Sequence, residues 1–310
     1  MSSQATDDPF LIGALGPTDV IVDVMDGFRA HMEERGLVEG EHVNYIVFEA
    51  EAIDQLSFEE PINDMLNQGV DLLVTVDVFA TRAAQEFTLD SGVPVLFTAA
   101  DPLNMGIVSD LTQPGGFATG IATRDPHNRR LELFNQLVPE AETVNVIFLT
   151  GLFSTQEILP LRSTAEGLGI ALLERPITNP NAATERLLEQ IPPEADAIFL
   201  VPNMHRNWSG NLAEAAQQAG IPLIVNNASL ASEDAFMSYA ISFPALGRQL
   251  GRMAEQVLVN GVDPGSLPDE TAEYFLVVNV AIGDELGLEL SPRVLRQADI
   301  LIYPDEVITQ

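Results

Sequence analysis

The chain has 310 residues, of which 46% are hydrophobic, and this size and composition predict about two domains with substantial buried cores. A formal net charge of −32 argues against nucleic acid or an anionic membrane surface as a partner, because both would repel the chain. The absence of cysteine excludes disulfides, thiolate metal sites and cysteine nucleophiles.

The basic residues are unusual, because all 14 are arginine and they are outnumbered by 46 acidic residues. An acid excess without lysine indicates either adaptation to high salt, where charge repulsion is screened, or a coding bias. Both interpretations stay open. The N-terminal MSSQATDD lacks the cationic start and the apolar stretch of a signal peptide, so an export signal is expected to lie outside this sequence.

Short apolar runs alternate with amphipathic segments along the chain. The runs predict strands at 10–15, 43–48, 71–76, 93–98, 117–122, 144–149, 170–175, 197–201 and 222–225. The segments between them predict helices at 20–35, 54–67, 80–90, 126–137, 155–168, 182–190 and 208–219. Such alternation predicts parallel sheets covered by helices on both faces, and its two rounds predict two α/β lobes with a cleft between them.

The loops that follow the strands are the candidate functional segments, because ligands of open parallel sheets lie beyond the carboxyl ends of the strands. These loops carry hydroxyl, carboxyl, amide and aromatic side chains at helix starts, where free backbone N–H groups can hold an anion. Plain N-capping uses the same residue types, so it remains an alternative for each single loop. The candidate ligand-binding residues in these loops are Thr18, Asp19, Asp77, Val78, Phe79, Ala80, Thr81, Asp101, Phe153, Ser154, Asn203, His205, Trp208 and Asn227.

One stretch, ADAIFLVPNMHRNWSG at 195–210, gathers the single tryptophan, a histidine and an arginine at the end of a predicted strand. Trp208 can stack on a planar ligand or pack on its own helix, and the sequence favours neither. His205 is predicted to contact the ligand, because a loop at the carboxyl end of a strand is seldom core, and Arg206 is predicted to face solvent. Phe79 and Phe153, at helix starts, can likewise line a site or join the core.

The other histidines, His31, His42 and His127, are predicted to lie on the surface, away from the candidate loops. No set of histidine and acidic residues shows the spacing of a metal site, so neither a metal nor another cofactor is expected.

Six segments carry a family resemblance: GLVEGEHVNYIVFEAE, VPVLFTAADPLNMGIV, QPGGFATGIA, LELFNQLVPEAETVNVIF, ALGRQLGRMAEQVLVNG and FLVVNVAIGDELGLELSPRVLRQAD. From Ile12 to Asp299 the chain resembles the ABC-transporter substrate-binding proteins of the type that includes tryptophan- and other aromatic-amino-acid-binding members. The resemblance implies the type I periplasmic-binding-protein fold, in which two doubly wound lobes clamp a ligand. It places residues 1–121 with 243–278 in the first lobe and 122–242 with 279–310 in the second, and a helix at 245–260 in the first.

Carried over by position, the resemblance adds Thr123, at a crossover, and Ser242 to the candidate site. Asp101 matches an Asp-Pro of the family, and 78–81 falls on a helix start that often contains Thr-Pro. Asn203 falls on a family Thr, while Asn227 and Ser242 replace family aspartates. Two acidic positions suited to a ligand ammonium are thus neutral here. Either Asp77 and Asp19 take over that role, or the ligand has no amine.

The resemblance implies a solute-binding receptor of an ABC importer, without catalytic activity. Its expected partners are a small molecule and a membrane permease, and the expected small molecule is an amino acid, with aromatic amino acids among the candidates. The resemblance further implies a monomer in the periplasm or a lipoprotein at the cell surface. The alternatives are a ligand-sensing receptor domain and a binder of a non-amine carboxylate or related metabolite. An enzyme is disfavoured, because the sequence contains no GxSxG, P-loop or GxGxxG motif.

Overall fold

The computed structural model describes residues 8–51, 55–124, 126–149, 154–177, 191–201, 206–228 and 235–310. The chain divides into two compact units, Met1–Arg124 with Phe243–Glu273 and Asp125–Ser242 with Tyr274–Gln310. The chain therefore passes between units after Arg124, Ser242 and Glu273, whereas the sequence placed these points after 121, 242 and 278. The last boundary differs because the strand that begins at Tyr274 pairs within the sheet of the second unit.

The first unit is built on a six-stranded sheet with the order β11-β5-β4-β3-β1-β2. Its strands are β1 (Phe10–Pro17), β2 (Val43–Ala50), β3 (Leu72–Val76), β4 (Val95–Ala100), β5 (Ala118–Thr123) and β11 (Glu270–Thr271). Every pairing in this sheet is parallel. All five residues of β3 are buried, as expected for a parallel strand with helices on both faces.

Four helices cover this sheet: α1 (Thr18–Glu34), α2 (Glu59–Asn67), α3 (Val78–Thr88) and α7 (Phe243–Ala254). On one face, α2 and α3 enclose a core that includes Phe58, Met65 and Phe97. The predicted helix at 54–67 is a 3₁₀ turn, Gln55–Phe58, followed by α2, and the helix expected at 245–260 ends in a π-helical turn, Glu255–Val259. The sequence did not predict that π-helical turn, which is a rare feature of helices.

The second unit is built on an eight-stranded sheet with the order β14-β13-β12-β10-β9-β8-β6-β7. Its strands are β6 (Thr143–Leu149), β7 (Ala171–Ile177), β8 (Ala197–Leu200), β9 (Leu223–Val225), β10 (Met237–Ile241), β12 (Tyr274–Asn279), β13 (Ile300–Ile302) and β14 (Val307–Thr309). Its described helices are α4 (His127–Leu137), α5 (Ser154–Leu168), α6 (Arg206–Ala219), α8 (Val280–Glu285) and α9 (Pro292–Leu295). The helix expected at 182–190 lies outside the described residues.

This second sheet is mixed rather than parallel throughout, which corrects the sequence prediction. Strand β12 pairs antiparallel with β10, and β14 pairs antiparallel with β13. The first exception arises because the chain enters β12 from the other unit and not through a βαβ crossover, so the rule for parallel crossovers does not apply. The second is a hairpin, closed by a hydrogen bond from the Tyr303 N–H to the Glu306 carbonyl, and a short hairpin connection makes its two strands antiparallel.

Candidate functional site

The first unit has a topological switch point between β1 and β3. Strand β1 is flanked by β2 on one side and β3 on the other, so the chain winds in opposite directions from this point. Helices α1 and α3 begin directly beyond the carboxyl ends of β1 and β3, at Thr18 and Val78. Ligands of doubly wound sheets bind at such switch points. The structure therefore places candidate residues Thr18, which is half-buried, and Asp77 at this end of the sheet. Asp19 is the second residue of α1, and the structure describes its backbone alone.

Asp77 is the N-cap of α3 and has an unusual backbone. Its φ of 95° and ψ of 163° fall in a region that is almost restricted to glycine. Its carboxylate Oδ1 accepts hydrogen bonds from the backbone N–H groups of Phe79, at 2.7 Å, and Ala80, at 2.9 Å. Burial raises the pKa of the Asp77 carboxyl above its ordinary value, while these two hydrogen bonds act in the opposite direction. A partly desolvated carboxylate thus lies at the switch point, with Oδ2 outside the capping bonds.

The rest of the α3 start is mostly packed into the protein. Val78 and Phe79 are half-buried against the core on that face of the sheet. Ala80 and Thr81 are fully buried. The Thr81 hydroxyl lies 2.6 Å from the Asp77 carbonyl and 3.0 Å from the Thr75 hydroxyl. In this structure the side chains of Ala80 and Thr81 therefore support the core and the helix start, rather than presenting a surface to a ligand as the sequence analysis expected.

Two further candidate residues lie along the same edge of the first sheet. Asp101 follows β4, has a φ of 48°, and accepts a 2.7 Å hydrogen bond from the side-chain amide of Asn104. Thr123 ends β5, is half-buried, and is in register with Ala100, the residue before Asp101. The backbone N–H of Asp77 donates to the Thr98 carbonyl of β4, at 2.9 Å. The structure thus brings Asp77, Asp101 and Thr123 to the carboxyl ends of three neighbouring strands.

The second unit carries the remaining candidate residues. Phe153, Asn203 and His205 lie outside the described residues. Ser154 is the first residue of α5, and Trp208 is in the first turn of α6. For both residues the structure describes only the backbone. Asn227 follows β9 and Ser242 follows β10, and both are half-buried. These two neutral residues therefore lie at the carboxyl ends of two adjacent strands.

Asn226 is a further polar residue at this end of the sheet, and it was not predicted from the sequence. It is buried after β9, and its side-chain amide lies 3.4 Å from the Val201 carbonyl at the end of β8. It therefore connects the ends of two neighbouring strands beside Asn227.

Helix α4 carries a buried polar pair that was not predicted from the sequence. Arg130 and His127 are both buried, so the prediction that His127 lies on the surface is wrong. Its position on the helix explains the error: residues 127, 130, 131, 134 and 137 follow the helical period and face the core together. Two polar residues at positions that the helical period assigns to the core were the signal that could have identified the pair.

Within the described ranges, no group of three histidine or acidic side chains is arranged to hold a metal ion. None of the described helices combines the length and the apolar character needed to cross a membrane.

Comparison with solved structures shows which fold class these two units form. The complex of an ABC domain from Streptococcus pneumoniae with L-Trp shares the fold, with a TM-score of 0.78, 22% identity, and coverage of 95% of this chain and 100% of that one. A conserved domain protein from Vibrio cholerae shares it with a TM-score of 0.79, 21% identity, and coverage of 96% and 100%. The predicted type I periplasmic-binding-protein class, with two doubly wound α/β lobes, is confirmed.

The family is shown by a match over most of the chain. Residues 17–302 match the family described as ABC transporter substrate binding protein, and this chain belongs to that family. Its members bind substrates for a transporter and are not enzymes, as the sequence analysis expected. A curated relative, the tyrosine-binding protein of Clostridioides difficile (strain R20291), is 23% identical over 257 residues, covering 82% of this chain and 73% of the relative.

Proposed function

We propose that this protein is the solute-binding receptor of an ABC importer and that its ligand is an amino acid with an aromatic side chain. The family match supports the receptor role. One relative is a tyrosine-binding protein and one structural neighbour is a complex with L-Trp, which supports the ligand class. The loops at the carboxyl ends of the strands in both units are the proposed binding segments.

The position of Asp77 carries the amino-acid part of this proposal. Its carboxylate lies at the switch point of the first sheet and is partly desolvated. An ammonium group placed against it would restore the interactions lost on burial and form a charge-assisted hydrogen bond. Asp77 therefore takes the role of the acidic residues that the resemblance expects at 227 and 242, where this chain has Asn and Ser.

A second ligand class is favoured by those two neutral residues. Asn227 and Ser242 lie at the carboxyl ends of adjacent strands, and their amide and hydroxyl groups can donate hydrogen bonds to a carboxylate. A non-amine carboxylate is therefore the alternative ligand, with Asp77 acting only as the cap of α3.

A thermal-shift screen separates the two ligand classes. The panel contains L-tyrosine, L-tryptophan, L-phenylalanine and their deaminated analogues, tested on the wild type and on Asp77→Asn, which keeps the capping oxygen. A ligand at 100 times its Kd adds about 2.7 kcal/mol to the stability of the folded state. We expect a shift with the amino acids alone, and its loss in Asp77→Asn but not in the exposed control Asp90→Asn. Shifts of equal size with the deaminated analogues would contradict the role of Asp77.

We further propose that the protein works outside the cytoplasm, in the periplasm or as a cell-surface lipoprotein, and passes its ligand as a monomer to a membrane ABC permease. The family match supports the permease as partner, and the net charge of −32 disfavours nucleic acid as a partner. Fractionation of the source cells and light scattering of the purified protein test location and oligomeric state. A dimer in solution, or a cytoplasmic location, would contradict this part of the proposal.

A further inference from the structure

Arg130, on α4, is a fully buried cation in the core of the second unit. Its guanidinium carbon lies 4.7 Å from the centre of the Phe199 ring, in the range of a cation–π interaction. Its terminal nitrogen Nη2 donates to the Leu200 carbonyl at 2.8 Å and lies 3.1 Å from Nδ1 of His127. Because arginine only donates, Nδ1 of His127 must be the acceptor in that bond. The guanidinium therefore joins the first turn of α4 to the end of β8.

The Leu200 carbonyl is a significant attachment point, because β8 ends there. The ladder from β8 to β9 stops at Phe199, and the ladder from β8 to β6 stops at Leu200. Beyond those points the paired ladder ends, and the last backbone bond to β6 is the Val201 N–H donating to the Ile147 carbonyl at 3.0 Å. Arg130 holds the carbonyl of Leu200, and the side-chain amide of Asn226 lies within reach of the carbonyl of Val201. Two side chains thus hold successive carbonyl groups at the end of β8.

This end of β8 lies beside the candidate ligand residue of β9. Asn226, which reaches the Val201 carbonyl, directly precedes Asn227 in the chain. A displacement of the end of β8 would therefore be transmitted to Asn227 through the Asn226 side chain. Binding groups that are displaced by fractions of an ångström lose affinity, so a residue that fixes them acts on binding without touching the ligand.

Stability alone does not account for a buried arginine at this position. Removing a cation from water is costly, and even buried ion pairs are often replaced by apolar residues of similar volume without loss of stability. The neighbour Arg129 shows the ordinary alternative, since it lies at the surface and pairs with Glu132 at 3.0 Å. Arg130 is instead directed into the core, to the one carbonyl where β8 loses its last ladder partner.

We propose that Arg130 is a positioning residue that fixes the carboxyl end of β8, and through Asn226 the ligand-binding Asn227, for the binding of the ligand. This inference rests on the proposed function, because Asn227 is a ligand residue only if that proposal holds. Arg130 itself does not contact the ligand in this account.

The first test compares Arg130→Met with the matched control Arg129→Met on the same helix. Affinities for L-tyrosine and L-tryptophan are measured by isothermal titration calorimetry, and melting temperatures are measured in parallel. We expect Arg130→Met, measured at a temperature where it is folded, to weaken binding by about tenfold or more, as for other residues that orient a binding group from behind. Its melting temperature should fall, because the buried Leu200 carbonyl and Nδ1 of His127 lose this donor. Arg129→Met should bind as the wild type does. Wild-type affinity in Arg130→Met would overturn the proposal.

A second variant and a ligand-free measurement keep the test decisive. Arg130→Lys retains the charge and one donor, so we expect an affinity between those of the wild type and Arg130→Met, and it replaces Arg130→Met if that variant does not fold. Exchange of the Val201 amide hydrogen reports on this region without ligand, because the Val201 N–H donates to the Ile147 carbonyl at 3.0 Å where β8 ends. We expect this exchange, followed by NMR, to be faster in both Arg130 variants and unchanged in Arg129→Met.

The two measurements distinguish failure of this inference from failure of the proposed function. If the wild type binds neither amino acid, the proposed ligand class is wrong, and the exchange of the Val201 amide hydrogen alone decides whether Arg130 positions the end of β8. Unchanged exchange in both Arg130 variants would then overturn the inference.

Discussion

At the scale of single residues, Asp77 combines a strained backbone with a partly desolvated carboxylate. A non-glycine residue in this region of φ and ψ costs about 1–3 kcal/mol, and such strain is concentrated at functional sites. The hydrogen bonds that its carboxylate accepts from the Phe79 and Ala80 N–H groups offset part of that strain, because they cap the N-terminus of α3. We therefore expect that removing Asp77 stabilises the fold and, under the proposed function, weakens ligand binding.

We predict that Asp77→Gly raises the free energy of unfolding by about 1–2 kcal/mol, because glycine removes the strain and costs only a few tenths of a kcal/mol as an N-cap. Chemical denaturation of the ligand-free protein measures this change. Asp101→Gly is the matched control: with a φ of 48°, Asp101 lies in the left-handed region that aspartate tolerates, so its gain should be smaller. A less stable Asp77→Gly would show that the cap outweighs the strain.

Asp269 is another half-buried aspartate whose carboxyl pKa is raised. Its Oδ1 accepts hydrogen bonds from the Gly120 backbone N–H at 3.0 Å and the Thr119 hydroxyl at 3.2 Å, just before β11 begins to pair with β5. Oδ2 is buried and has no hydrogen-bond partner among the described residues. Burial raises the pKa of Asp269 to about 6, against the opposing effect of those two hydrogen bonds.

This shift predicts a particular pH dependence of stability. With its pKa raised above the unfolded value of about 3.9, Asp269 stabilises the fold most below pH 4, and this contribution is lost as pH rises through 6. Asp269→Asn should therefore gain stability relative to the wild type between pH 4 and pH 7, by on the order of 1 kcal/mol after allowance for solvent screening. Melting curves across this range measure the difference. The exposed control Asp305→Asn should show no such trend, and a flat difference for Asp269→Asn would contradict the prediction.

At the scale of secondary-structure elements, the close contact between α1 and α7 depends on glycines. A Cβ on Gly247 of α7 would lie 1.8 Å from the Val24 carbonyl oxygen of α1, and a Cβ on Gly27 of α1 would lie 1.9 Å from the Pro244 carbonyl oxygen of α7. The two backbones thus touch directly, which only glycine permits. Helix α1 begins at the switch point, so this contact also fixes the direction of a helix that carries candidate site residues.

We predict that Gly247→Ala destabilises the protein by about 3 kcal/mol, because the added methyl group forces two helix backbones apart. Gly167→Ala is the control, since Gly167 is an exposed position of α5 with no atom within 4 Å of its added Cβ. There the substitution should stabilise by about 0.5–1 kcal/mol through the unfolded chain. Thermal unfolding of both variants tests the opposite signs, and a mild effect at Gly247 would show that the helices can separate.

Some secondary-structure elements could be predicted from the sequence and others could not. The apolar runs at 71–76 and 197–201 were recognisable as strands because parallel strands are buried on both faces and need no alternation. The two-residue strand β11 and the antiparallel pairings of β12 and β14 were not, because they depend on where the chain returns between units and turns back.

The candidate site was predictable only in part, for a related physical reason. The loop after β3 drew attention to Asp77 by its position, but the strain of Asp77 is a property of the folded backbone and leaves no mark in the sequence. Arg130 was missed because residue type alone assigns arginine to the surface, and only the position on α4 overrides that rule.

At the scale of the whole molecule, charge is the dominant feature. The chain carries 46 acidic residues against 14 arginines. Some arginines form close ion pairs, such as Arg35 with Glu255 at 2.8 Å and Arg162 with Glu174 at 2.6 Å. With more than three acidic residues for each arginine, most acidic side chains must still repel one another. Repulsion of this kind opposes the compact state, and its range is set by the ionic strength.

We predict that the melting temperature rises by at least about 3 °C when NaCl is raised from 10 mM to 1 M, because the Debye length falls from about 30 Å to about 3 Å and removes more repulsion than attraction. The same titration at pH 4, where many carboxylates are protonated, is the control and should give a smaller rise. Sucrose, which is excluded from protein surfaces but does not screen charge, separates screening from general stabilisation. A melting temperature that falls with salt at pH 7 would mean that the ion pairs outweigh the repulsion. That outcome would favour coding bias over adaptation to salt as the origin of the acidic excess.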